Sequence, residues 1–103
     1  MILIMESKLI IDDYGIKRWE LPNGDLHRED GPAIQRQNTD YCKWFDRYNA
    51  WYINGKLHRE DGPAVEWSNG RKNWYLDGKE HTDKEYKVFT RSMKINKILG
   101  KKS

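Results

Sequence analysis

Four residues able to do chemistry stand together at His27-Arg28-Glu29-Asp30, and the same four return at His58-Arg59-Glu60-Asp61. An imidazole, a guanidinium and two carboxylates could supply a base, an anion clamp and a proton donor, or ligands for a metal. The duplication argues for a different role. A catalytic constellation draws unlike residues from several places around one pocket, whereas identical tetrads in a repeat occupy parallel rungs of one scaffold. The metal reading meets the same objection. His27, His58 and His81 hold matching places, but ligands must converge on one point, and successive rungs stand about 5 Å or more apart. No glycine-rich phosphate loop or nucleophile elbow is visible either. The sequence therefore predicts no enzyme, no metal and no cofactor.

The tetrads belong to a longer repeat. Leu26-His27-Arg28-Glu29-Asp30-Gly31-Pro32-Ala33 returns as Leu57-His58-Arg59-Glu60-Asp61-Gly62-Pro63-Ala64, and a worn third copy begins at Asp77-Gly78-Lys79-Glu80-His81. In a scaffold each residue has structural work. Gly31 and Gly62 are expected to supply positive φ, and Pro32 and Pro63 to fix the exit from the loop. Asp30 and Asp61 are expected to bind turn amides, Arg28 and Arg59 to reach acids on the neighbouring rung, and the histidines to stack on aromatic rings.

The elements that would position these loops are short strands. Asn54-Gly55, Asn69-Gly70 and Asp77-Gly78 lie between alternating apolar residues, the pattern of type I′ hairpins, whose two central residues both need positive φ. The chain should meander. Strand alternation places Trp19 with Leu21, Trp51 with Ile53 and Trp74 with Leu76 on one face as the core, joined by Ile34 and Val65. Tyr52 and Tyr75 fall on the opposite, wetter face.

Trp51 and Trp74 are 23 residues apart and Trp19 and Trp51 are 32 apart, so nine residues have been added to the first interval. One lies in the approach through Leu21-Pro22-Asn23. Eight lie within 35–50, a stretch holding Tyr41, Trp44, Phe45 and Tyr48 among the charges of Arg36, Asp40, Lys43, Asp46 and Arg47. Such an insertion forms a longer hairpin or a surface loop. Aromatic rings interleaved with charge suit recognition, so Tyr41, Trp44, Phe45, Arg47, Tyr48, Tyr52 and Tyr75 are the candidate partner-binding residues.

At Thr82-Asp83-Lys84-Glu85 a capping box announces a helix. Tyr86, Phe89 and Met93, with Ile98 beyond, form its apolar stripe, and Gly100 ends it. Of 19 basic and 16 acidic residues, seven basic and one acidic lie from Lys84 onward, so the rest carries 12 and 15. An acidic body with a basic tail directs any polyanion to the tail. Lys87, Arg91, Lys94, Lys97, Lys101 and Lys102 are therefore the candidate nucleic-acid residues of the alternative reading.

At 103 residues, with 37% hydrophobic and 34% charged residues, the chain has room for one small domain in which a few aromatics supply most of the buried area. A lone cysteine, Cys42, excludes an internal disulfide and suits a reducing, cytoplasmic setting. The apolar opening Met1-Ile2-Leu3-Ile4-Met5 is too short to span a membrane, lacks a signal-peptide layout and reads as a first strand.

The run Trp51-Tyr52-Ile53-Asn54-Gly55-Lys56-Leu57-His58-Arg59-Glu60-Asp61-Gly62-Pro63-Ala64 resembles the MORN-like repeat variant of small phage and large DNA virus proteins. Trp74-Tyr75-Leu76-Asp77-Gly78-Lys79-Glu80-His81-Thr82 is similar to the ends of such arrays, and the likeness covers about residues 15–90. It implies a mainly β fold: a single-layer antiparallel β-meander over 1–81, with a C-terminal amphipathic helix and basic tail over 82–103. It also implies a binding or scaffold surface, and related repeats occur in bacterial antitoxin-like proteins. The expectation is a phage-encoded module in the host cytoplasm, monomeric or weakly self-associating, that binds a host or phage protein in host takeover or anti-defence.

Overall fold

A computed structural model describes residues 6–36 and 47–98, with side chains on the final helix described as far as Met93. Within them the fold is mainly β. The strands are β1 (Lys8–Ile11), β2 (Lys17–Glu20), β3 (Ile34–Arg36), β4 (Tyr48–Ala50), β5 (Tyr52–Ile53), β6 (Lys56–Leu57), β7 (Val65–Trp67), β8 (Lys72–Leu76) and β9 (Lys79–His81), followed by helix α1 (Asp83–Ile98). Seven strands form one antiparallel sheet in the order β1-β2-β3-β4-β7-β8-β9, while β5 and β6 pair as a separate short hairpin. The chain meanders as expected, and its thinnest dimension is 17 Å.

Two turn types set the register. Asn54 and Gly55 (φ 49° and 81°) and Asp77 and Gly78 (φ 51° and 82°) are the expected pairs of left-handed residues. Asn69-Gly70 is different. Only Gly70 is left-handed there (φ 92°), and the loop has three residues, closed by Gly70 N–H donating to the Trp67 carbonyl at 3.0 Å. The same loop recurs at Gly24, whose N–H donates to the Leu21 carbonyl at 2.8 Å. That third loop residue accounts for the single extra residue near Pro22.

The eight-residue expansion is a hairpin at its base. β3 and β4 pair in the register Ile34↔Ala50, Gln35↔Asn49 and Arg36↔Tyr48. The corresponding β7–β8 connection runs from Trp67 to Lys72. Tyr41, Trp44 and Phe45, like the Met1–Met5 strand and Gly100, lie outside the described residues.

Cross-strand pairing corrects the assignment of faces. Arg18 pairs with Ile34, Ile34 with Ala50, Ala50 with Val65, and Val65 with Asn73. Trp19 and Trp74 are the next residues after Arg18 and Asn73, so alternation puts Ile34 and Val65 on the face opposite the tryptophans. The core differs as well. Ala33 and Ala64 (0% exposed), Ala50 (1%), Leu21 (4%), Tyr86 (5%) and Val65 (8%) are buried, whereas the four described tryptophans are only half-buried. A single sheet has no second layer to enclose an indole, so complete burial goes to small residues beneath the loops.

The capping box forms as read. Thr82 N–H donates to Glu85 Oε1 (3.0 Å), and Glu85 N–H donates to Thr82 Oγ1 (3.1 Å). The buried stripe of α1 is Tyr86 and Thr90, with Met93 half-buried. Phe89 is 48% exposed and stacks at the margin on His81, with ring centroids 4.9 Å apart. Thr90 takes its place in the stripe because its hydroxyl is satisfied by the Tyr86 carbonyl at 2.9 Å.

Candidate functional site

The signature loops build one surface of the molecule and the tyrosines another. In the first loop the Arg28 guanidinium lies 3.9 Å from the Trp19 ring centroid, and Arg59 repeats this over Trp51 at 3.9 Å. Each cation is then fixed locally. Arg28 Nε donates to Asp30 (2.9 Å) and Arg59 Nε to Asp61 (2.9 Å), while their Nη1 atoms donate to the Pro32 and Pro63 carbonyls at 3.2 and 3.1 Å. The acids therefore serve the arginine two residues earlier in place of turn amides. The arginines bind within their own rung, apart from a longer contact of Arg59 with Glu66 at 3.4 Å.

Gly31 and Gly62 are absent from the left-handed residues, contrary to expectation. A Cβ on either would stand 2.9 Å from the Cζ of Arg28 or Arg59. These glycines make room for the guanidinium.

The histidines couple one repeat to the next. His27 Nδ1 accepts the Asn54 N–H at 2.9 Å, and His58 Nδ1 accepts the Asp77 N–H at 2.9 Å. With Nδ1 accepting, a neutral ring carries its proton on Nε2, and there Glu29 (3.3 Å) and Glu60 (3.0 Å) receive it. Each imidazole thus spends its one acceptor on the neighbouring turn, and among the described residues no aromatic ring stacks on either, contrary to expectation. His81 has no following repeat and meets α1 instead, through Phe89 and through Glu85 at 3.9 Å. Among the described residues no group of three or more His, Cys, Asp or Glu could hold a metal ion.

The cleft between the two loops is lined by residues such as His27, Asp30, Trp51, His58, Asp61 and Thr90. Its arginines, histidines and Thr90 are already engaged within the protein.

The opposite face brings together three of the predicted partner-binding residues. Tyr48 pairs with Trp67 across β4 and β7, their ring centroids 5.0 Å apart and tilted by 47°. Tyr52 follows Ala50 by two residues, and Tyr75 follows Asn73 by two. Burial raises the Tyr52 phenol above its usual range, and the nearby Tyr48 and Tyr75 push it the same way. Burial also raises Tyr75, helped by the Glu80 carboxylate. These tyrosines are half-buried, less wet than alternation alone implies.

Sequence reading missed the polar frame around them. Trp67 Nε1–H donates to Asn73 Oδ1 (2.9 Å), Asn73 Nδ2 donates to Glu80 (2.9 Å), and the Tyr75 hydroxyl stands 3.5 Å from Glu80. The Arg71 guanidinium lies 5.7 Å from the Trp67 ring centroid. Pairing of the 64–67 and 72–76 strands about the Asn69-Gly70 turn could have placed Trp67 and Asn73 together. Arg47 lies one residue before β4, at the base of the expanded hairpin. Its carbonyl accepts the Ser68 N–H at 2.9 Å, and its buried Nε has no hydrogen-bond partner among the described residues.

The residues of the alternative reading are less concentrated. Lys87 is well exposed and 3.5 Å from Asp83 one helical turn back, and Arg91 is exposed on α1. Lys94 and Lys97 belong to α1, whereas Lys101 and Lys102 lie outside the described residues. Among the described residues no helix is long and apolar enough to cross a membrane. In comparisons with known proteins, no family model, no curated protein and no solved structure matches the chain.

Proposed function

We propose that this chain is a non-enzymatic interaction module that binds another protein through its tyrosine face and the adjoining 37–46 segment. The observation that carries the reading is the gathering of Tyr48, Tyr52, Tyr75 and Trp67 on one face, with Tyr48 only two residues in sequence after the segment 37–46 that holds Trp44 and Phe45. Tyr, Trp and Arg are the residue types that dominate binding energy at protein interfaces. The signature loops support it from the other side, because their histidines and arginines are already occupied in holding the scaffold. The resemblance to MORN-like repeat proteins of phages and large DNA viruses adds the setting. In that setting the module acts in the host cytoplasm on a host or phage protein, as a takeover or anti-defence factor.

The test is affinity capture from bacterial lysate, with and without nuclease, using the wild type and two variants. Trp44→Ser with Phe45→Ser is expected to lose the captured protein while keeping its circular dichroism. Neutralising Lys94, Lys97, Lys101 and Lys102 is expected to retain it. The nucleic-acid reading predicts the reverse: capture that is nuclease-sensitive, falls steeply with salt and depends on the lysines.

A further inference from the structure

The two ends of the sheet are finished differently. β9 is three residues long, carries Lys79 and Glu80, and leads directly into α1, whose Phe89 stacks on His81. Short length, charge and a covering helix are the usual means by which an edge is protected from further pairing. β1 is also short and carries Lys8, but among the described residues no helix covers it and its other three residues are apolar. It reads Lys8-Leu9-Ile10-Ile11, and no described strand pairs with its outer side.

The ladder shows which groups that side presents. Asp12 N–H donates to the Ile16 carbonyl at 3.1 Å, so Asp12 and Ile16 form a hydrogen-bonded pair at the hairpin end. Alternation along the pairs Ile11↔Lys17, Ile10↔Arg18, Leu9↔Trp19 and Lys8↔Glu20 then directs the N–H and C=O of Leu9 and Ile11 outward. Trp19 confirms the phase, since its N–H points away from β1, to the Ala33 carbonyl at 2.9 Å. The side chains at these two positions are also open, Leu9 45% and Ile11 57% exposed.

We propose that β1 is a self-association edge, on which two copies of this chain pair β1 with β1, antiparallel, about a two-fold axis through Ile10. That register sets Leu9 against Ile11 of the second copy as hydrogen-bonded pairs and Ile10 against itself. It also sets Lys8 against Asp12. The charges favour this arrangement. Within one copy Arg18 stands 3.4 and 3.2 Å from Asp12 and Glu20 and Lys8 lies cross-strand from Glu20, so the face is balanced, and the register adds one more opposite-charge pair, Lys8 against Asp12 of the second copy. The palindrome of cation, three apolar residues and acid matches itself, as an isologous contact requires. The interface is separate from the tyrosine face, so its test is independent of the proposed function.

Sedimentation of the full chain is expected to show a reversible monomer–dimer equilibrium at concentrations up to about 1 mM. Ile11→Pro removes an outward N–H without touching the β1–β2 ladder and should weaken the dimer about tenfold or more while circular dichroism is retained. Lys8→Glu should weaken it by setting like charges opposite each other. Register is read independently in a Cys42→Ser background. Ile10→Cys should cross-link to itself on mild oxidation, because a non-hydrogen-bonded antiparallel pair stands about 4.5 Å apart, within disulfide range. Leu9→Cys should not cross-link at a comparable rate. A chain monomeric throughout the range overturns the proposal, as does a dimer that ignores both edge variants and gives no Ile10→Cys cross-link.

Discussion

The first two repeats and the third meet the same difficulty in different ways. Each carries a tryptophan on a sheet with no second layer, and each must cover one face of the indole. In the first two, Arg28 and Arg59 lie over Trp19 and Trp51, inside loops that make room for them at Gly31 and Gly62. The third copy has Glu80-His81-Thr82 where an arginine would stand, and Tyr86 from α1 approaches Trp74 instead, ring centroids 6.4 Å apart. The Tyr86 hydroxyl also donates to the Arg59 carbonyl and accepts the Gly62 N–H, so the helix is tied into the second loop. A local cation suffices where another repeat follows. The last repeat needs a cap from elsewhere in the chain.

The strongest way to break this contrast is at the cap. Tyr86→Ala removes the largest well-buried side chain and both hydroxyl bonds, and should cost about 3–5 kcal/mol in denaturant unfolding. Tyr86→Phe should cost about 1–2 kcal/mol, the share of the hydrogen bonds alone. Burial raises the Tyr86 phenol above its ordinary 10.0, with Asp61 and Glu60 acting the same way and the Gly62 N–H and the Arg59 cation opposing. Since the unfolded phenol ionises first as pH rises, the contribution of Tyr86 is intact below pH 10.0 and is lost as pH climbs through the folded value. A melt series into alkali should show a smaller loss in Tyr86→Phe than in the wild type, the remainder coming from Tyr52 and Tyr75.

Within an intact repeat the effects are smaller. Gly62→Val should destabilise more than His58→Ala, by about 2–3 against about 1–2 kcal/mol, because the added methyls displace Arg59 from Trp51 whereas the histidine change removes one inter-repeat acceptor. Thermal melts of the pair decide it, and the opposite order would mean that the imidazoles bear more of the scaffold than the glycines. Arg59→Lys keeps the charge but loses the planar stack and the fork to Asp61 and Pro63, and should cost about 1 kcal/mol. The smallest effect concerns metal: chelation should leave the melting temperature unchanged.

What was legible in the sequence is what local residues determine. Asn54-Gly55 and Asp77-Gly78 fix their own turns, Thr82 and Glu85 cap their own helix, and the duplicated octet marks its own period. The faces were not legible, because Ile34 and Val65 take their sides from pairing with Arg18 and Asn73. The histidine bonds were hidden for the same reason: Nδ1 of His27 meets Asn54, a residue from the next repeat. The role of Gly31 and Gly62 was misread because glycine in a loop answers two demands, left-handed backbone and close approach, and sequence does not say which applies. At the candidate site, Tyr52 and Tyr75 were found by alternation and Tyr48 as an aromatic of the insertion, while Trp67 and Asn73 required the register of β7 against β8.

The central claim divides the molecule into a scaffold side and a binding side, and competitive capture from lysate tests it most directly. Tyr52→Ser with Tyr75→Ser strips the sheet face, while Glu29→Gln with Glu60→Gln changes the signature loops without removing their bulk. With folding checked by circular dichroism, the account predicts that the first variant no longer competes with wild type for the captured protein and that the second competes undiminished. Loss of competition by the glutamine variant alone, with the serine variant intact, would place recognition in the repeated His-Arg-Glu-Asp and contradict the account.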